Sequence, residues 1–164
     1  MNSILQATAD LLTSRKFQPA FTEDGNILLV RCCGESLFWT TTVDTSKDGT
    51  VVTLLSRVAV KVPPAKRGAC AKLLARLNYG KRQGVFHLDL SDGEVLFCIS
   101  NTFSAGIAPE ETLDDLFGTT FSAMNKHAPE IFKLVYGRSP APDSEPATAS
   151  PSLNRSLKPP GLSN

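Results

Sequence analysis

Three Asp-Gly dipeptides, at positions 24–25, 48–49 and 92–93, each separate two runs rich in apolar and β-branched residues. Asp-Gly tolerates the positive φ that a tight hairpin turn demands, so each marks a place where a strand reverses. Parallel strands need long crossovers in place of tight turns, so three such reversals in 164 residues commit the sheet to antiparallel pairing.

The first Asp-Gly pairs segments 17–23 and 26–33, and Gly34-Glu35 offers a second turn before the aromatic and β-branched run 36–44. Asp48-Gly49 then leads into segment 50–62, which Pro63-Pro64 must stop because proline cannot donate to a sheet ladder. The last Asp-Gly joins 84–90 to 94–100, where Phe86, Leu88 and Leu90 alternate with His87 and Asp89. Between these runs lie helical spacings. Ile4, Leu5, Thr8, Leu11 and Leu12 predict a first helix, capped by Asn2 or Ser3 and ending near Lys16. Cys70, Leu73, Leu74 and Leu77 predict a second, with capping chemistry in Asn78-Tyr79-Gly80. A third opens near Pro109, carries Glu110, Glu111, Asp114 and Asp115 where the dipole favours anions, and buries Leu113, Leu116, Phe117, Phe121 and Met124. Pro129 is expected to break or kink it, leaving a last helical segment at 129–136 that ends at Gly137.

The predicted fold is therefore α+β: an antiparallel sheet of five to six strands with helices on one face, in the order α, three or four β, α, ββ, α. With 41% hydrophobic and 20% charged residues the chain has ordinary globular composition, and one domain over 1–137 accounts for its apolar residues. Segment 138–164 holds six prolines and almost nothing large and apolar, so it reads as a disordered Pro/Ser-rich tail. No stretch approaches the roughly 18 apolar residues of a spanning helix, and the N-terminus lacks the order of a secretory signal. Both point to a soluble, cytoplasmic protein.

The chemistry-bearing residues are few. Cys32, Cys33, Cys70 and Cys98 lie in apolar contexts and read as buried thiols, and no CxxC or HxxxH pair supplies metal-ligand spacing. No glycine-rich phosphate cradle is present, so neither metal nor cofactor is expected. His87 and Asp89 share a strand face, but no GxSxG elbow or comparable thiol setting accompanies them, which argues against an enzyme.

Charge order says more than net charge, which is only +1. From Arg57 to Arg82 all eight charges are basic, whereas the seven between Gln83 and Asn125 up to Asp115 are acidic, giving the domain a dipolar pattern. Only Tyr79 interleaves with the basic run, so nucleic acid is a poor fit and a protein partner or a second copy a better one. The candidate contacts are Lys66, Arg67, Lys72 and Arg76, with Lys66-Arg67-Gly68 also suited to an anion, and Trp39, whose competing place is the core. The alternative function is a small-ligand sensor or an unrecognised enzyme with a site near Lys66, Arg67, Asn78 and His87.

A combination of features over 62–136 carries a family resemblance: Val62-Pro63, a helix ending LLARLN at Asn78, a strand opening at Gly84 with Phe86, Leu88 and Asp89, and a closing helix running through Pro129 to Tyr136. With the preceding helix and strands, segment 4–137 resembles the YbjN-type domain family, described as bacterial sensory-transduction regulators. The resemblance implies a fold similar to the class I type III secretion chaperones, small proteins that often dimerise and bind extended segments of other proteins. It implies no activity and no cofactor. The expected function is thus a non-enzymatic, chaperone-like or regulatory protein-binding module that contacts another protein or itself through a sheet face or edge.

Overall fold

In the computed structural model, residues 3–103 and 107–137 are described; the expected tail at 138–164 and the candidate cap Asn2 lie outside them. The elements run α1 (Ser3–Ser14), β1 (Pro19–Phe21), β2 (Ile27–Cys33), β3 (Phe38–Thr45), β4 (Val51–Lys61), α2 (Pro64–Asn78), β5 (Val85–Leu88), β6 (Glu94–Thr102) and α3 (Glu110–Tyr136). All five strand pairings are antiparallel, in the sheet order β1-β2-β3-β4-β6-β5. The α+β architecture and the order of its elements are those the sequence predicts.

All three Asp-Gly pairs form turns, and the first two are built alike. Thr22 and Ser46 donate their hydroxyls to Asp24 and Asp48, which also accept the backbone N–H of Asn26 and Thr50 two residues on. The same hydroxyls then accept the N–H groups of Ile27 and Val51 at the start of the next strand. These bonds hold the Asp24 and Asp48 carboxyls below their usual range, and bonds from Ser91 and Lys61 do the same for Asp89 and Asp92. At the third turn Gly93 has φ +81°, and a Cβ built there would lie 2.1 Å from the Val62 carbonyl oxygen. That position is closed to side chains on two counts.

Strand alternation decides which face the helices cover. Leu28, Val30 and Cys32, then Trp39, Thr41 and Val43, then Val52, Leu54, Ser56, Val58 and Val60 are all buried, as are Phe86, Val95, Phe97 and Ile99. The register places these residues on one side of the sheet. Against that side α1 packs on β1 to β3, α3 on β4 and β6, and α2 on β5. Aromatic pairs line this core: Phe17 meets Phe117 of α3 edge-on at 5.3 Å between centroids, Trp39 meets Phe121 of α3 at 5.1 Å, and within the sheet Phe86 meets its cross-strand partner Phe97 at 5.0 Å. Each such pair adds about 0.5–1.5 kcal/mol beyond the area it buries.

Three local expectations are corrected. Pro129 does not divide the final helix, which runs unbroken for 27 residues. Its buried stripe, Met124, Ala128, Ile131 and Val135, continues straight through the proline, and that packing outweighs a local penalty of roughly 3 kcal/mol. Leu90 does not extend the alternation of β5; it sits in the turn and is 65% exposed. Of the four thiols, only Cys32 and Cys70 are buried, while Cys33 and Cys98 lie half-buried on the uncovered side.

Two stability measurements follow from the turns. Gly25 has φ +69° but open space around it, so Gly25→Ala should cost only the left-handed penalty of about 1–2 kcal/mol. Gly93→Ala meets Val62 in addition and should cost more in urea unfolding; equal losses would contradict the close approach. Acid should also matter. The folded-state pKa values of Asp24, Asp48, Asp89 and Asp92 are depressed from 3.8, so their stabilisation is present above that value and is lost as pH falls through the lower folded values. Replacing Asp24, Asp48 and Asp89 with Asn should flatten the fall in urea midpoint below pH about 4.

Candidate protein-interaction face

Among the described residues all three helices lie on one side, and the opposite side of the sheet is left to its own residues. The pairing register draws a straight row across all six strands there: Ala20, Leu29, Thr42, Leu55, Cys98 and Val85. Leu29 is 37% and Val85 40% exposed, and Leu55 and Cys98 are half-buried. Five of these six positions are apolar or thiol, so the row is an oily band wider than any single exposed side chain would leave.

Rows of different character flank it. On one side run Arg31, Thr40, Arg57, Leu96 and His87; on the other, Ile27, Asp44, Thr53 and Ser100. Arg57 bridges to Glu94 at 3.1 Å and donates to the Thr42 hydroxyl at 3.2 Å, lying along the sheet and not away from it. The Arg31 guanidinium sits 5.4 Å over the Phe38 ring. One flank thus carries Arg31 and the Arg57–Glu94 ion pair, and the other carries Asp44.

The sheet edges, by contrast, are closed. At the β5 edge the Asn78 amide donates to the Phe86 carbonyl at 2.9 Å and accepts the Phe86 N–H at 2.8 Å, imitating a paired strand in the middle of a four-residue element. At the other edge β1 is only three residues long and opens with Pro19, which has no N–H to offer. An added strand would find no continuous ladder at either end.

The residues singled out from the sequence are scattered. Lys66 donates to the carbonyls of Leu134 and Val135, where its charge completes the C-terminus of α3. Arg67 donates to the carbonyls of Val62 and Leu90, tying α2 to the last hairpin. Lys72 and Arg76 are exposed on α2. Trp39 is 4% exposed beneath α3 with its indole N–H unpaired, so it belongs to the core and not to any surface; its neighbour Phe38 is the one that faces out. His87 is exposed on the open face, whereas Asp89 accepts the N–H and hydroxyl of Ser91 within its own turn. No cluster near α2 joins Lys66, Arg67, Asn78 and His87, because the first three are bonded to separate stretches of backbone.

The opposed charge runs also pair off in part. Lys61 bridges to Asp92 and Arg57 to Glu94 across β4 and β6, so sequence separation overstated the dipole. Inside the core, Thr41 and Ser56 share a 2.6 Å hydrogen bond beside Cys32, whose thiol burial pushes up to about 12. That thiol is protonated at neutral pH and is a packing group, not a nucleophile. A hollow of about 340 Å³ between α1 and the start of α3 is lined by Asp10, Ser14 and Glu110, where Ser14 donates to the Leu11 carbonyl of its own helix. Among the described residues, no group of three or more His, Cys, Asp or Glu side chains converges as metal ligands, and no helix is long and apolar enough to cross a membrane.

Comparison with known proteins now adds the family. No curated protein sequence matches the chain. Among solved structures the fold is similar to the crystal structure of YbjN from E. coli, described as "a putative transcription regulator", with a TM-score of 0.59 at 15% identity over 78% of this chain and 90% of that one. That likeness concerns the fold. The sequence itself matches the YbjN family, described as "Putative bacterial sensory transduction regulator", over residues 9–133, from the second half of α1 to the last turn of α3. The chain belongs to the YbjN family.

Proposed function

We propose that this protein is a non-enzymatic regulatory module of the cytoplasm that works by holding another protein chain against the open face of its sheet, in the manner of a chaperone. The observation that carries this reading is the row Leu29, Leu55, Cys98 and Val85, broken only by Thr42, on a sheet face that no helix of the described residues covers and between two closed edges. Apolar surface of that kind is the core of an ordinary protein interface, and the flanking polar rows supply its rim. The description of the family as regulators supports the reading, as does the engagement of Lys66, Arg67 and Asn78 with backbone, which removes the polar constellation that a ligand site beside α2 would need. Lys72 and Arg76, exposed on α2, serve in this scheme to steer an acidic partner toward the molecule.

Leu29 and Val85 offer the test, because both are well exposed and their change to Asp leaves the covered core intact. The double variant Leu29→Asp, Val85→Asp should keep the far-ultraviolet spectrum and lose partner capture by about tenfold or more. Lys72→Glu, Arg76→Glu should instead slow association and weaken its salt dependence. Capture unaffected by the Leu29 and Val85 changes would remove the open face from the function.

A further inference from the structure

Strand β6 outruns its outer neighbour. β5 begins at Val85, opposite Cys98, so the last four residues of β6 have a partner strand on the β4 side alone. Residues of an antiparallel strand turn their N–H and C=O groups alternately to one neighbour and to the other. Phe103 donates its N–H to the Thr50 carbonyl beside β4, and the Glu94 carbonyl accepts the Asp89 N–H beside β5, so odd residues of this stretch face β4 and even ones face away from it. Ser100 therefore aims both backbone groups past the start of β5, and no described residue bonds to either. Thr102, the next residue of that parity, gives its N–H to the Asn101 Oδ1 atom at 2.9 Å, which ends the ladder.

Those two groups border a hollow of about 300 Å³. Val85, Ile99 and Leu116 give it apolar walls, and Arg82 lines it with no carboxylate beside it. Arg82 forms no ion pair with any described residue. We infer that this hollow binds a small acylated amino acid or dipeptide with an apolar side chain, its carboxylate on Arg82 and its amide on Ser100. An amide carries one donor and one acceptor, which is what the Ser100 N–H and C=O require of a group opposite them. A guanidinium takes a carboxylate through two parallel hydrogen bonds, and the apolar walls receive the side chain. A whole strand is the poorer occupant, because one residue of β6 offers a complete free pair and the volume lies at the lower limit of small-molecule sites, about 300 Å³. The site uses none of Lys66, Arg67, Asn78 and His87. Val85 and Cys98 also belong to the open row, so the hollow adjoins the proposed partner surface without depending on it.

Titration of the full chain with N-acetyl-leucine, followed by NMR and amide hydrogen exchange, tests the assignment. A ligand of that size should saturate at roughly millimolar concentration. The Ser100 amide should shift and become protected, while the Ile99 and Asn101 amides, already turned to β4, should not. Arg82→Gln, at an exposed position, should keep the far-ultraviolet spectrum and weaken binding about tenfold or more. N-acetyl-leucinamide, which lacks the carboxylate, should lose as much, and the two changes together should cost no more than either alone. Absence of saturation overturns the inference, as does equal affinity for acid and amide, or binding that ignores Arg82→Gln. A blocked tetrapeptide ending in leucine that binds about tenfold tighter than N-acetyl-leucine would put the end of a polypeptide in the hollow and overturn the small-ligand assignment.

Discussion

Everything in the described residues depends on three helices packing against the same side of one antiparallel sheet. The covered side holds the large buried residues, from Leu28 and Val30 through Trp39, Leu54 and Phe97, interleaved with Leu116, Phe117, Phe121 and Ile131 of α3. That layer removes most of the apolar area from water, at about 25 cal/mol per Å², and so supplies the main stabilisation of the domain. A two-layer solution of this kind leaves the second sheet face to solvent or to a partner.

Where the side chains on that second face are wholly polar, solvent is a sufficient neighbour. Here they are not, since the row that crosses the sheet from Ala20 to Val85 is apolar or thiol at every strand but β3, where Thr42 stands. The edges behave differently. Asn78 and Pro19 between them close both ends of the ladder, a common protection against unwanted strand addition. Guarded rims and a largely oily central row are the basis of the proposal that a partner is met face-on, by side chains and not by backbone ladders.

Much of the architecture was legible because local chemistry and burial agree. The Asp-Gly turns announced the hairpins, the alternation of Phe86 with His87 separated the two faces of β5, and the periodicity of α1 and α3 named their buried faces. Pro129 misled because a proline is a local signal and the stripe that overrides it is tertiary. The cap expected at Asn78-Tyr79-Gly80 does close α2, but the further partner of the Asn78 side chain, the Phe86 backbone eight residues on, has no local signal. The charge runs suggested a dipole because sequence order hides the β4 to β6 pairing that brings Arg57 to Glu94 and Lys61 to Asp92. The site itself was only half visible: the two faces of the run around Trp39 could be told apart, but a row across six strands exists only once the register is known.

A comparison of adjacent leucines on β4 probes the one-sided sheet most directly. Leu54 is buried beneath the helices, and Leu55, next in the chain, lies half-buried in the open row. Introducing a carboxylate at Leu54 places an unpaired charge in the core and should abolish cooperative unfolding, whereas the same change at Leu55 should leave a folded domain with a melting temperature within a few degrees of the parent. Equal damage at the two positions would mean that both faces of the sheet are core, and the open face would have to be given up.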